Sequence, residues 1–218
     1  MALNTLKLVT GDLEENCYIA WNEGSREAVI FDPGWNADEI RAELNARGLS
    51  IVAFLQTHCH GDHIGALTPL KQVFPAAPLY VPEAEKTWLA RPTLNLSFFY
   101  GYSLTGPAPD VLVRDGDVID AAGLSFKAIH VPGHSPGGTA YFIAPKNETP
   151  HLYCGDILFQ GSIGRTDLPG GAGEEVLVEG IRSKLFVLPE ETIVHPGHGD
   201  DTTIGAEKKQ NPFCGTGR

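Results

Sequence analysis

The stretch LQTHCHGDHIGA places His58, His60, Asp62 and His63 within six residues. Crowding three imidazoles and a carboxylate together is costly unless a cation compensates, and both ligand types suit zinc and iron. Gly61 has no Cβ, so the chain can turn sharply between His60 and Asp62. Such a turn lets His58 and His60 converge on one point while Asp62 and His63 aim at another. Four ligands from one turn cannot close two metal sites, so others must arrive from elsewhere. His134 in VPGHSPGG, Asp156 in LYCGDILF and His198 in IVHPGHGDD each follow glycine-containing turns at strand ends. One histidine at a turn is ordinary surface chemistry; three such turns and a cluster point to metal.

The elements around these residues alternate between strand and helix. NCYIAW, EAVIFDP and IVAFLQT read as strands, rich in β-branched and aromatic residues. NADEIRAELNARG reads as a helix capped by Asn36, with Ile40 and Leu44 on one face and Gly48 at its end. HIGALTPLKQVF continues as a helix whose first turns Pro69 makes irregular. DVLVRDGDVIDAAGLSFKAIHV suggests meandering antiparallel strands, and GTAYFIAP and HLYCGDILF extend the series. GEEVLVEGIRSKLFVL reads as a helix with Val176, Ile181 and Leu185 on one side, and TIVHPG as a last strand. Two sheets covered outside by helices accommodate this order. No linker is evident, so residues 1–218 are expected to form a single domain.

Composition narrows the function classes. The chain is 42% hydrophobic and 20% charged, as in an ordinary soluble globular protein. Its net charge of −11 argues against nucleic acid as a partner. The start carries no basic segment ahead of an apolar run, and no stretch reaches membrane-span length, so a cytoplasmic location without membrane contact is expected. Cys17, Cys59, Cys154 and Cys214 lie far apart without a CxxC, which indicates neither a disulfide framework nor a zinc finger. Cys59 and Cys154 are expected to be small buried filler rather than nucleophiles.

The series THCHGDH, PGHSPG, GD and PGHG resembles the metallo-β-lactamase superfamily in its binuclear hydrolase form, over residues 57 to 199. VIFDPG, GSIGRTDLP and TTIGAEKKQNPF add to the likeness, the last to its glyoxalase II-like subset. The resemblance implies an α/β (α+β) chain folded as an αββα sandwich of two mixed sheets, with metals at one edge. It implies that His58, His60 and His134 hold a first ion, that Asp62, His63 and His198 hold a second, and that Asp156 bridges them. Two divalent cations about 3.5–4 Å apart lower the pKa of a shared water toward about 7, and the hydroxide attacks a carbonyl. Asp62 would orient that hydroxide or take its proton. Zinc is the first expectation for both ions, with iron or manganese also compatible.

Other residues carry two readings each. Asp32 either holds a ligand histidine or fixes a turn. His130 and His195 precede ligand turns and should support or pack against them, whereas His151 should be exposed. Arg165 either meets an anionic substrate or pairs with Asp167. Phe98, Phe99 and Tyr100 could line an acyl pocket, in a stretch (88–109) that forms a lid or a dimer interface. The chain would be a monomer or a homodimer.

The resemblance also sorts reactions. Asp156 argues against the β-lactamases themselves, and His60 against flavodiiron proteins. Small thioesters remain the best substrate class, S-D-lactoylglutathione or a related hydroxyacylglutathione first among them. Only 19 residues follow PGHG, too few for the C-terminal helical domain that holds glutathione in long glyoxalase II enzymes. The alternatives are a mononuclear iron persulfide dioxygenase, which would leave the other second-site residues unfilled, and a lactone or ester hydrolase.

Overall fold

A computed structural model of the chain describes residues 2–217. Its first sheet runs in the order β1 (Leu3–Thr10), β2 (Glu15–Asn22), β3 (Glu27–Phe31), β4 (Ser50–Leu55), β5 (Leu79–Pro82) and β6 (Val111–Val113). The first three strands pair antiparallel, and β3 to β6 pair parallel. The second sheet has β7 (Val118–Ala121), β8 (Leu124–His130), β9 (Thr139–Ile143) and β10 (His151–Gly155) as an antiparallel run from its edge. Beyond β10 lie β13 (Ile193–Pro196), parallel to it, and β14 (Thr202–Thr203). Between β10 and β13 in the chain, β11 (Leu158–Phe159) and β12 (Ser162–Ile163) make a small hairpin.

Strand alternation sorts the apolar residues into three layers. Tyr18, Val29, Phe31 and Leu55 of the first sheet meet Phe126, Tyr141 and Tyr153 of the second, with Phe31 stacked on Tyr153 at 4.1 Å. The alternate residues Ile19, Ile30 and Phe54 face outward under α1 (Ala37–Arg47) and α2 (Leu67–Val73), which bury Ile40, Leu44, Leu67 and Leu70. On the far side Leu152, Cys154 and Val194 lie beneath α3 (Glu174–Gly180), its wider-turned continuation Ile181–Leu185, and α4 (Ile204–Gln210). Helix, sheet, sheet and helix are thus the four layers of the fold. Among the described residues no helix is long and apolar enough to cross a membrane.

Four local expectations need correction. β6 does not join the meander; it pairs parallel with β5, which the intervening loop brings alongside. Leu177, not Val176, accompanies Ile181 and Leu185 into the core, and Val176 is exposed. Asn36 is the N-cap residue of α1, its O accepting from Ile40 N at 3.1 Å, but its side chain does not cap the helix and its Oδ1 accepts instead from Gly11 N at 3.0 Å. His151 is half-buried rather than exposed, held by His195.

Candidate metal centre

The residues of the cluster occupy the loop that leaves β4, a parallel strand whose end opens toward the second sheet. Gly61–His63 forms one tight helical turn, and Gly61 N donates to Asn95 O at 2.7 Å, which ties the turn to the 88–109 segment. His134 comes from the loop between β8 and β9, Asp156 from the residue after β10, and His198 from the loop after β13. The two sheets therefore meet at one edge through their ligand-bearing loops.

The side chains form two groups that share a carboxylate. Ligand atoms of His58, His60 and His134 lie within 4.8 Å of one another, as do those of Asp62, His63 and His198. His134 Nε2 stands 2.9 Å from His60 Nδ1 and 3.5 Å from Asp156 Oδ2. His63 Nε2 stands 3.5 Å from Asp156 Oδ1 and 3.8 Å from Asp62 Oδ2. His198 Nε2 lies 3.3 Å from Asp62 Oδ2 and 3.7 Å from Asp156 Oδ2. Ligand atoms at about 2.1 Å from one tetrahedral ion are separated by about 3.4 Å, so these spacings suit shared ions.

Burial sets the protonation of the cluster in the absence of metal. His58 is driven well below the ordinary histidine range by burial and by the neighbouring His63, and burial with His134 pushes His60 down to about 3. Burial opposes charge on His63 as well, yet Asp62 and Asp156 hold its pKa well above the usual value. Burial likewise works against the charge on Asp156, but His63 outweighs it and keeps this carboxyl well below its ordinary range.

The metallo-beta-lactamase superfamily model matches residues 10–198. The chain belongs to that superfamily. It is 35% identical over 201 residues to "Hydroxyacylglutathione hydrolase GloC" of Haemophilus influenzae, with 92% of each chain covered. Among solved structures it is similar to the BLEG-1 B3 metallo-beta-lactamase (39% identity, TM-score 0.91, 97% of this chain and 99% of that one). It is also similar to TTHA1623 in a di-iron-bound form (35% identity, TM-score 0.82, 95% and 99% covered).

As a member of the superfamily, the chain can be tested for fit to divalent metal on its own atoms. Among the described residues, His58 Nε2, His60 Nε2, His63 Nε2 and Asp156 Oδ1 are buried without a hydrogen-bond partner. Buried polar atoms are rarely left so, and ions held by the two triads would give His58 Nε2, His63 Nε2 and Asp156 Oδ1 the partners they lack. The opposite nitrogens are already engaged, which fixes the rings. His134 Nδ1 donates to Arg165 O at 2.7 Å, His198 Nδ1 to Leu13 O at 3.0 Å, and His63 Nδ1 lies 3.2 Å from Asp32 Oδ2. Asp32 does both jobs considered for it, since its carboxylate also accepts from Thr57 N at 2.7 Å and from Thr57 Oγ1 at 2.5 Å.

The remaining candidates separate clearly. Arg165 and Asp167 form a two-point ion pair at 2.8 and 2.9 Å, while Arg165 also borders the cavity over the cluster. Tyr100 lines that cavity, of about 380 Å³, with Phe159, Leu168 and the ligands themselves. Phe98 and Phe99 line neither this cavity nor its neighbour; they meet edge-on and are exposed. His130 Nε2 lies 2.9 Å from Pro136 O in the loop of His134. His195 touches no ligand: it bonds Asp201 at 2.9 Å and His151 at 2.8 Å, and stacks on Tyr153. Cys59 and Cys154 are fully buried, and burial raises both thiols, Cys154 to about 12, which leaves neither as a nucleophile.

Two buried acids beside the ligand loops escaped the sequence reading. Glu85 accepts from Cys59 N at 2.6 Å and Gly137 N at 2.8 Å, joining the loops of His60 and His134. Glu15 accepts from Thr10 Oγ1 at 2.6 Å, and its other oxygen stands 3.8 Å from His63 Nδ1. Neither carried a signal in the sequence: Glu15 stands just before the NCYIAW run, and Glu85 lies in a short turn.

Proposed function

We propose that the chain is a metal-dependent hydrolase of small acyl thioesters, with hydroxyacylglutathiones such as S-D-lactoylglutathione the first substrates to test. The observation that carries this reading is the Asp156 carboxylate, which reaches His63 with one oxygen and His134 and His198 with the other. His58, His60 and His134 would hold one ion and Asp62, His63 and His198 the other, with Asp156 shared. Bound there, two divalent cations supply Lewis acidity, polarising a carbonyl and making water acidic near neutral pH. The nitrogen and oxygen donor set accommodates zinc, iron or manganese, and the likeness to a di-iron protein supports two ions.

The chain's own residues do the rest. Asp62 borders the open cavity, with Oδ2 near His198, and is placed to orient the attacking water and take its proton. Water oxygen bonds to the acyl carbon, the carbon–sulfur bond breaks, and the departing thiolate takes the proton that Asp62 received. Tyr100, Phe159 and Leu168 give the cavity apolar walls beside the cluster. The likeness to the Haemophilus influenzae hydrolase supports thioester substrates.

The likeness to a B3 metallo-beta-lactamase favours a second reading, β-lactam hydrolysis, in which the same arrangement opens an amide. The iron dioxygenase alternative would leave Asp62, His63 and His198 unfilled, although they converge as closely as the first triad. The deciding experiment is elemental analysis of protein purified without added metal or chelator, followed by thiol release from a thioester panel and opening of a chromogenic cephalosporin. Near two ions per chain and thioester turnover are expected. Two ions with no thioester turnover would overturn the proposal, and one iron per chain with oxygen uptake on glutathione persulfide would replace it with the dioxygenase.

A further inference from the structure

A second cavity, of about 370 Å³, opens beside the one over the cluster and shares Leu13, Asp62 and Tyr100 with it. Its own walls are Trp35, Tyr102 and Leu104. Trp35 and Tyr102 meet at 5.2 Å with their rings tilted by 54°. The tryptophan is built in rather than incidental: its backbone N–H donates to Thr10 Oγ1 at 2.9 Å, and its ring lies between Gly11 and Gly65. A Cβ at Gly65 would stand 2.8 Å from Trp35 Cδ2, and Gly11, at φ 65°, is closed by the same ring.

Charge divides the two cavities. The aromatic one contains Asp12 and Asp62 but no Lys or Arg, whereas Arg165 borders the cavity over the ligands. Among the described residues Arg165 is the one Lys or Arg lining either space. A thioester whose carbonyl sits at Asp62 has two arms to place, and the two cavities differ in what they accept. Aromatic walls with carboxylates and no cation disfavour an anion and take an uncharged, apolar group, as small-molecule sites commonly do. An anionic thiol half fits the side where a guanidinium stands.

The geometry points to an acyl-binding arm: Trp35, Tyr102 and Leu104 receive an uncharged medium-chain or aromatic acyl group, while the anionic thiol half lies toward Arg165. This inference rests on the thioesterase reading for the position of the carbonyl. It places larger apolar acyl groups, rather than lactoyl, at the top of the substrate order.

The test is a series of acylglutathiones from acetyl to octanoyl, with phenylacetyl, assayed by thiol release from the metal-loaded protein. Alongside it, binding of S-methyl- to S-octylglutathione, which cannot be hydrolysed, is measured by calorimetry. Each methylene that enters the arm is expected to raise kcat/KM and binding about fourfold until the cavity is filled. In Trp35→Ala and in the more exposed variant Tyr102→Ala, the octanoyl-to-acetyl ratio is expected to fall at least tenfold. A flat chain-length profile in the unaltered protein would overturn the inference while leaving the thioesterase reading intact, and so would a ratio unchanged in both variants. Should no thioester be cleaved, that reading falls, and the S-alkylglutathiones alone decide: chain-length-independent binding overturns the acyl arm, and a rise lost in both variants upholds it.

Discussion

Glu85 Oε2 accepts a hydrogen bond from the backbone N–H of Cys59 at 2.6 Å, between two histidines of the first triad. Its other oxygen takes Gly137 N–H from the loop of His134, so one buried side chain sets the spacing of two ligand loops. Burial raises the Glu85 carboxyl above its ordinary range, and the polar groups of Ser135, Gly137 and Cys59 offset this only in part.

Glu85→Ala would strand both N–H groups in the interior. A loss of about 3 kcal/mol of stability is expected, since each buried donor left unpaired costs about 1–3 kcal/mol. Thermal unfolding of the metal-free protein measures it, and metal content should fall as the loops of His60 and His134 separate. Glu85→Gln keeps one acceptor and should lose less.

Asp156→Ala removes the group common to both triads. Metal content is expected to drop from near two ions per chain to one or fewer, with turnover down at least a hundredfold. Elemental analysis and thiol release check the two parts separately. Retention of two ions would show that Asp156 is not the bridge.

Gly197 presses against the cluster: a Cβ there would stand 2.8 Å from His63 Cε1 and closer still to Asp156 Oδ1. The contacts are a ligand ring and carboxylate rather than flexible surface. Gly197→Ala is therefore expected to fold with near-native circular dichroism yet bind metal at least tenfold more weakly, as competition with a chelator would show.

The convergence of the seven ligand residues was legible because they stand in or just after short loops at the ends of apolar strands, four of them directly after a glycine, a local pattern with little else to explain it. Its supports were not. Glu85 lies in a tight turn without periodicity, and its partners, Cys59 and Gly137, are remote in the chain. Strands rich in β-branched and aromatic residues were readable to within a residue at each end, as with NCYIAW against Glu15–Asn22. The short VLV of β6 was not, because its partner β5 is chosen by parallel tertiary pairing rather than by a turn. His151 looked like an exposed strand start because its stacking partner, His195, comes from β13.

The His151–His195–Asp201 chain gives a pH signature away from the metal. Burial, then the neighbouring His195, lowers the His151 pKa to about 4. Unfolded, the same ring titrates near 6.5, so between about pH 4 and 6.5 the unfolded chain binds more protons and stability rises with pH. His151 is half-exposed, so after discounting for solvent screening its share is about 1 kcal/mol. Chemical denaturation at pH 4.5 and 7 should show His151→Gln losing part of this dependence; an unchanged slope would remove the assignment.

Both triads draw on both sheets: His58, His60, Asp62 and His63 come from the first, His134, Asp156 and His198 from the second. During synthesis the ribosome therefore delivers the triads in sequence. The chain can complete the first, and the carboxylate beside it, while His198 has yet to be added. An ion held by the first triad would therefore have all its ligands in the growing chain before the last ligand of a second ion is made.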